Sequence, residues 1–183
     1  VALEPAGEGI RVVAAGDTMM GSDLRRGKRG LAPGDGEALF AHVKDLFEAA
    51  DVAFLNLEGT LADDLPQTKC RPDSTSCYAF RTPCRYAAAL KGAGIDVVSN
   101  ANNHAMDLGV AGMSSTLGCL NAAGIAHASR YGDTALLEGV KGLKVAVVAA
   151  HSGSCCPNVN DVEEVTAAIR LADRDADLVI LSM

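Results

Sequence analysis

The chain has 183 residues, 49% of them hydrophobic and 21% charged, a composition that excludes intrinsic disorder and supplies enough apolar side chains for the core of one domain. A formal charge of -7, no Trp and only 4% aromatic residues exclude a broad nucleic-acid surface, which needs a basic face and stacking rings. No apolar run reaches the roughly 20 residues that span a bilayer, and the opening residues VALEPAGEGIRVV lack the basic and apolar regions of a signal peptide, so any export signal or anchor is expected to have been removed.

The first apolar run, 10–15, reads as a strand that passes into Gly16 and Asp17. A carboxylate at a strand's carboxyl end is a natural first ligand for a hard or borderline cation. Residues 23–36 carry Arg25, Arg26, Lys28 and Arg29 among glycines and read as a mobile surface loop, its charges solvated or facing an anionic substrate. Leu39, Phe40, Val43, Leu46, Phe47 and Ala50 recur at helical spacing. They predict one amphipathic helix over 37–50, with His42 on its polar side. VAFLNL at 52–57 is the second strand and delivers Asn56 and Glu58 to its carboxyl end. Convergent carboxylates at Asp17 and Glu58 need a cation or a proton to coexist.

The connection over 59–77 has no periodicity, and at that length such a segment is functional or stapled. Cys70 and Cys77 bracket the polar loop CRPDSTSC, and a disulfide between them would hold it. A short strand is expected at 78–82, followed by a helix over 84–91 opened by Pro83. Arg81, just before that helix, either forms a structural ion pair or reaches an anionic ligand.

GIDVVSNANNHAMDLG at 94–109 is the most informative stretch. Val97 and Val98 form a buried strand, and Asn100 to His104 fall beyond its carboxyl end, where open α/β sheets bind ligands. Asp107 follows His104 by three residues, a spacing that lets it orient the imidazole. Asn100 and Asn102 read as backbone caps. A helix is predicted over 110–123 with Gly124 as its stop, then a short strand in AHAS, and a hairpin of 136–140 with 143–150 turning at Lys141 and Gly142. His151, delivered by the second strand of that hairpin, is a further strand-end candidate, although a single histidine in a turn is more often structural. Asp161 starts the last helix, and LVILSM at 178–183 is the last strand. Neighbours Cys155 and Cys156 do not pair easily with each other; one reaches Cys84 or Cys119, or they are buried thiols. Six cysteines in a domain of this size favour an exported protein.

In this order, GDTMMG at 16–21, FLNLEGTL at 54–61, FRTP at 80–83 and GIDVVSNANNHAMDLG with the helix after it resemble CapA-type proteins of poly-γ-glutamate capsule synthesis. These carry the PGA_cap domain, a branch of the calcineurin-like metallophosphoesterase superfamily. The resemblance implies a single α/β domain over 1–183, a metallophosphoesterase-like β-sandwich flanked by helices, with a divalent metal ion (Mn, Fe, Zn or Mg) at the strands' carboxyl ends. It makes Asp17, Glu58 and Asn103 the metal ligands and His104, with Asp107 behind it, the group that meets the leaving group. Asn56 and Arg81 are the candidates for substrate contact.

The function so implied is an exported hydrolase, periplasmic or on the outer face of the cell membrane, that cleaves a phosphoester or an amide through a metal-bound water in capsule polymer assembly. The alternative is a non-catalytic subunit that binds the polymer or its membrane-bound synthase. Expected partners are an anionic polymer or small phosphoester or amide substrate and capsule synthase subunits, without nucleic acid. Two departures stand out. Met19 occupies the position where many phosphoesterases carry a histidine, and its thioether suits none of the hard cations. A His-x-Gly-x-Glu segment is expected in relatives right after a run such as LVILSM, so the domain is expected to lack its C-terminal part.

Overall fold

The computed structural model describes residues 9–24, 30–130 and 133–183. The basic run Arg25, Arg26, Lys28 and Arg29 lies outside the described residues. Among the described residues nine strands and five α-helices follow in chain order: β1 (Val12–Thr18), α1 (Glu37–Phe40), α2 (Lys44–Glu48), β2 (Val52–Leu57), β3 (Thr60–Leu61), β4 (Arg81–Thr82), α3 (Ala87–Gly92), β5 (Val97–Ser99), α4 (Gly109–Ala122), β6 (Ala126–Ala128), β7 (Ala135–Val140), β8 (Leu143–Ala149), α5 (Val162–Ala172) and β9 (Leu178–Ser182).

Four strands form an all-parallel sheet in the order β1-β2-β5-β6, and a second sheet pairs β7 antiparallel and β9 parallel with β8. Period-2 alternation along β2 places its residues in two cores. Ala53, Leu55 and Leu57 join the helices on one face, with Phe40, Phe47, Leu90 and Leu120. Val52 and Phe54 face the second sheet, meeting Val145 and Val147. A mixed α/β sandwich with helices outside results, the fold class expected from sequence. A third, smaller core lies where α5 covers the outer face of β8 and β9. Among the described residues no helix is long and apolar enough to cross a membrane.

Several local expectations change. The helix expected over 37–50 is two single-turn helices separated at Ala41–Val43, and only Phe40 and Phe47 of its apolar set are buried; Leu39, Val43 and Leu46 are exposed. Helices this short form only through tertiary packing. The surface they meet is edge strand β1, whose Val13 and Ala15 are too small to cover the whole face. The strand expected over 78–82 is reduced to Arg81–Thr82, paired with Thr60–Leu61. Asp161 caps α5 as expected, accepting from the Glu164 N–H at 3.0 Å. Two disulfides are present. Cys70–Cys77 is the expected staple, whereas Cys84 and Cys119 bond each other and leave Cys155 and Cys156 as free thiols.

Candidate functional site

Because β1, β2 and β5 are parallel, their carboxyl ends share one edge, and β8 and β9 end beside it from the second sheet. A cleft of about 390 Å³ opens there, lined among others by Asp17, Asn56, Glu58, Asn102, Asn103 and His151. Asp17 reaches it through a local irregularity. Ala15 pairs with Leu55, but Asp17 pairs with Asn56, so Gly16 is an extra residue in β1. Without that bulge Asp17 would share the helix-side face of Val13 and Ala15; with it, Asp17 shares the face of Asn56.

The Asn56 amide is the centre of the cleft's polar network. Its Nδ2 donates to Asp17 Oδ1 at 2.7 Å and approaches Glu58 Oε2 at 3.3 Å, while its Oδ1 accepts from Asn102 Nδ2 at 3.0 Å. Asn102 Nδ2 also donates to the Leu57 carbonyl at 2.8 Å. Asn100, fully buried, donates to the carbonyls of Leu57 and Gly59. Both asparagines thus tie down the distant chain around Glu58 rather than only local backbone; the local cap expected is made by Asn102 Oδ1, which accepts the His104 N–H at 3.0 Å, and Asn102 in addition orients Asn56. Burial, and then the neighbouring Asp17 carboxylate, push the Glu58 carboxyl above its ordinary range.

His104 borders the cleft. Its Nδ1 lies 2.7 Å from Asp107 Oδ2, and its Nε2 is 3.7 Å from Glu58 Oε1, beyond direct hydrogen-bond range. Asp107 is completely buried, and its Oδ2 also accepts the Phe80 N–H at 2.7 Å. Nδ1 thus has the Asp107 acceptor at 2.7 Å and the Lys69 ammonium, a donor, at 3.2 Å; the nearer carboxylate favours the tautomer with the proton on Nδ1, leaving Nε2 to face the cleft. The Phe80 ring stacks on the imidazole, with centroids 4.2 Å apart. Lys69 Nζ is 2.8 Å from Asp107 Oδ1, an ion pair rather than a directed hydrogen bond, and donates to the Asn103 carbonyl at 2.9 Å.

Most of the sequence-derived site residues therefore meet at one edge: Asp17, Asn56, Glu58, Asn103, His104 and, behind it, Asp107. Arg81 does not. Its guanidinium is held by Asp23 at 2.6 Å and by the Leu65 carbonyl, outside the cleft. Met19 lines an adjoining, largely apolar groove with Leu39, Val43 and Leu46, which shares Ala15 and Asp17 with the cleft. Two further residues join the site. His151, the strand-end candidate of the hairpin, lines the cleft. Lys69 was hidden in a loop without periodicity, and its one signal was its place next to a stapled cysteine.

The donor set suits a hard divalent cation in kind: the carboxylates of Asp17 and Glu58 are drawn to one neutral amide, with the Asn103 side chain in the same cleft. Among the described residues no three His, Cys, Asp or Glu side chains form a metal-holding cluster.

A family model described as bacterial capsule synthesis protein PGA_cap matches residues 11–183. The chain belongs to the PGA_cap family. The motifs at Asp17, Glu58 and 94–109 are thus those of a capsule-synthesis domain of the calcineurin-like superfamily. Two proteins of Sinorhizobium fredii, the uncharacterized proteins y4sH and y4uA, are each 34% identical to it over 122 residues, which is 66% of this chain and 24% of theirs. This PGA_cap chain therefore aligns with about a quarter of the length of these relatives.

Proposed function

We propose that this PGA_cap chain is the site-bearing part of an exported, metal-dependent hydrolase acting on a phosphoester or an amide during assembly of an anionic capsule polymer. The observation that carries it is the meeting of the Asp17 and Glu58 carboxylates at the Asn56 amide, in a cleft that His104 borders. Asp17, Glu58 and Asn103 would hold a divalent cation. When bound, the cation supplies Lewis acidity to the reacting group. Asn56 and Asn102 set the spacing of the carboxylates. His104 presents Nε2 to the cleft while Asp107 holds the proton on Nδ1, so Nε2 is the atom that carries a proton to the leaving group when the ring is protonated. Two disulfides support export, because such bonds persist in oxidising compartments.

The test is metal content and turnover in the complete protein. Wild type is expected to retain a stoichiometric divalent cation, lost in Asp17→Ala and Glu58→Ala, and His104→Ala is expected to abolish hydrolysis of a generic phosphoester or amide. Unchanged stoichiometric metal in both carboxylate variants would sink the reading.

A second reading is favoured by Met19, which stands where a histidine ligand is common and whose side chain lines the apolar groove. It is a non-catalytic subunit that binds the polymer or its membrane synthase. Polymer binding that survives both carboxylate variants, with no turnover by wild type, would support it.

A further inference from the structure

The loop between β3 and β4 grips the His104–Asp107 pair from two sides. On one side the Thr68 N–H donates to the Asp107 carbonyl at 2.9 Å, and Lys69 Nζ pairs with Asp107 Oδ1 at 2.8 Å and bonds the Asn103 carbonyl at 2.9 Å. On the other, the Phe80 N–H donates to Asp107 Oδ2 at 2.7 Å and the Phe80 ring covers the imidazole. The Cys70–Cys77 disulfide joins these two arms directly after Lys69 and shortly before Phe80. Gln67 braces the first arm, accepting from the Cys70 N–H at 2.7 Å and donating to the Cys70 carbonyl at 2.8 Å.

The residues between the two cysteines are polar and exposed and form no strand or helix. They contribute nothing apolar to hold themselves in place. The covalent bond therefore carries the restraint, by removing conformations the open loop would otherwise sample. Lys69 has the opposite setting, with its ammonium reaching a carboxylate that has no solvent exposure at all. Its charge holds Asp107 Oδ1 on the loop side, which leaves Oδ2 toward His104 Nδ1, and Nζ itself stands 3.2 Å from that nitrogen. Through the Asn103 carbonyl it fixes the backbone that carries Asn103 and His104 into the cleft.

We propose that Lys69 is a positioning residue for Asn103 and His104, and that the Cys70–Cys77 staple holds it in that role. Its catalytic consequence rests on the function proposed above, but the positioning itself does not. The deciding measurement is made on metal-free, ¹⁵N-histidine-labelled protein at one fixed pH. The His104 signal is assigned by its loss in His104→Asn, and its tautomer and ring order are compared in wild type, Lys69→Arg, Lys69→Met and the double variant Cys70→Ser/Cys77→Ser.

Wild type and Lys69→Arg are expected to show one ordered Nδ1–H tautomer. Lys69→Met and the double serine variant are expected to lose it to a mixture with a mobile ring. The serine pair leaves Lys69 and the residues around Asp107 unaltered, so it keeps the comparison decisive if Lys69→Met fails to fold. An unchanged His104 signal in the folded variants would overturn the proposal. If the complete protein turns over substrate, the same two variants are expected to lower kcat about 10- to 100-fold with KM little changed. A protein without turnover would defeat the proposed function and leave the spectroscopic comparison to stand or fall by itself.

Discussion

Asn56 Nδ2 donates to Asp17 Oδ1 at 2.7 Å across the one irregular step in the β1–β2 pairing. A side-chain amide therefore holds together two strand ends whose carboxylates repel. Replacing Asn56 by Ala removes hydrogen bonds to charged acceptors and leaves Asn102 Nδ2 with one partner fewer, so Asn56→Ala is expected to destabilise the metal-free protein by about 2 kcal/mol. Chemical denaturation of the purified variant measures it. No change beyond error would mean that water replaces the amide at no cost.

Asn100 carries a stronger expectation because it has no exposed surface and serves the carbonyls of both Leu57 and Gly59. Asn100→Ala leaves the buried Gly59 carbonyl without its side-chain donor and the Leu57 carbonyl with Asn102 alone, and is expected to cost roughly 1–3 kcal/mol. Asn100→Asp, which turns an acceptor toward two acceptors, should be worse than Asn100→Ala. The order of the two midpoints in urea checks the assignment.

Gly59 has φ of +119°, and an added Cβ would lie 3.0 Å from Phe80 Cβ. Gly59→Ala combines a strained backbone with pressure on the ring that covers His104, so a loss of about 1–3 kcal/mol is expected. Heat denaturation reads the loss. A shift in the His104 ring signal, seen by the same ¹⁵N spectroscopy, would show that the pressure reaches the imidazole.

The two disulfides should differ in global effect. The Cys84–Cys119 bond spans 35 residues and the Cys70–Cys77 bond spans 7. In the chain-entropy model the first contributes roughly 4 kcal/mol and the second roughly 2. Cys84→Ala/Cys119→Ala is therefore expected to lower Tm well below that of Cys70→Ser/Cys77→Ser. The reverse order would contradict the view that the shorter bond acts locally.

Cys155 and Cys156 have sulfurs 2.8 Å apart, and the hydrogen bond from Cys156 lowers the Cys155 pKa to about 7 while its own is pushed up. Thiolate on Cys155 thus rises with pH through about 7, and with it reactivity. The linked stability runs the same way: because the folded-state pKa is lowered from 9.0, the contribution is full above that value and is lost as pH falls through about 7. Iodoacetamide labelling without reductant should modify half-buried Cys155 first, with a rate midpoint near pH 7. A midpoint near 9 would show that the two thiols do not interact.

Strand existence was largely legible in the sequence because alternating or continuous apolar runs bounded by glycine admit few other structures. Val52–Leu57 coincides with its expected bounds, and the hairpin turns at Lys141 and Gly142, both at positive φ. The segment 37–50 is two helices rather than one, since apolar spacing says which residues share a face but not how wide a surface awaits them.

By itself the sequence determined that Asp17, Glu58 and 100–107 stand at carboxyl ends of strands, because apolar runs stop where these residues begin. It also determined the Cys70–Cys77 staple and the His104–Asp107 pairing, both products of short-range spacing. Tertiary structure alone decided that Gly16 is an extra residue that turns Asp17 toward Asn56, that Arg81 is held by Asp23, and that Lys69 reaches a buried carboxylate. These depend on register between strands and on loops folding back across tens of residues, and local propensity carries no record of such distances.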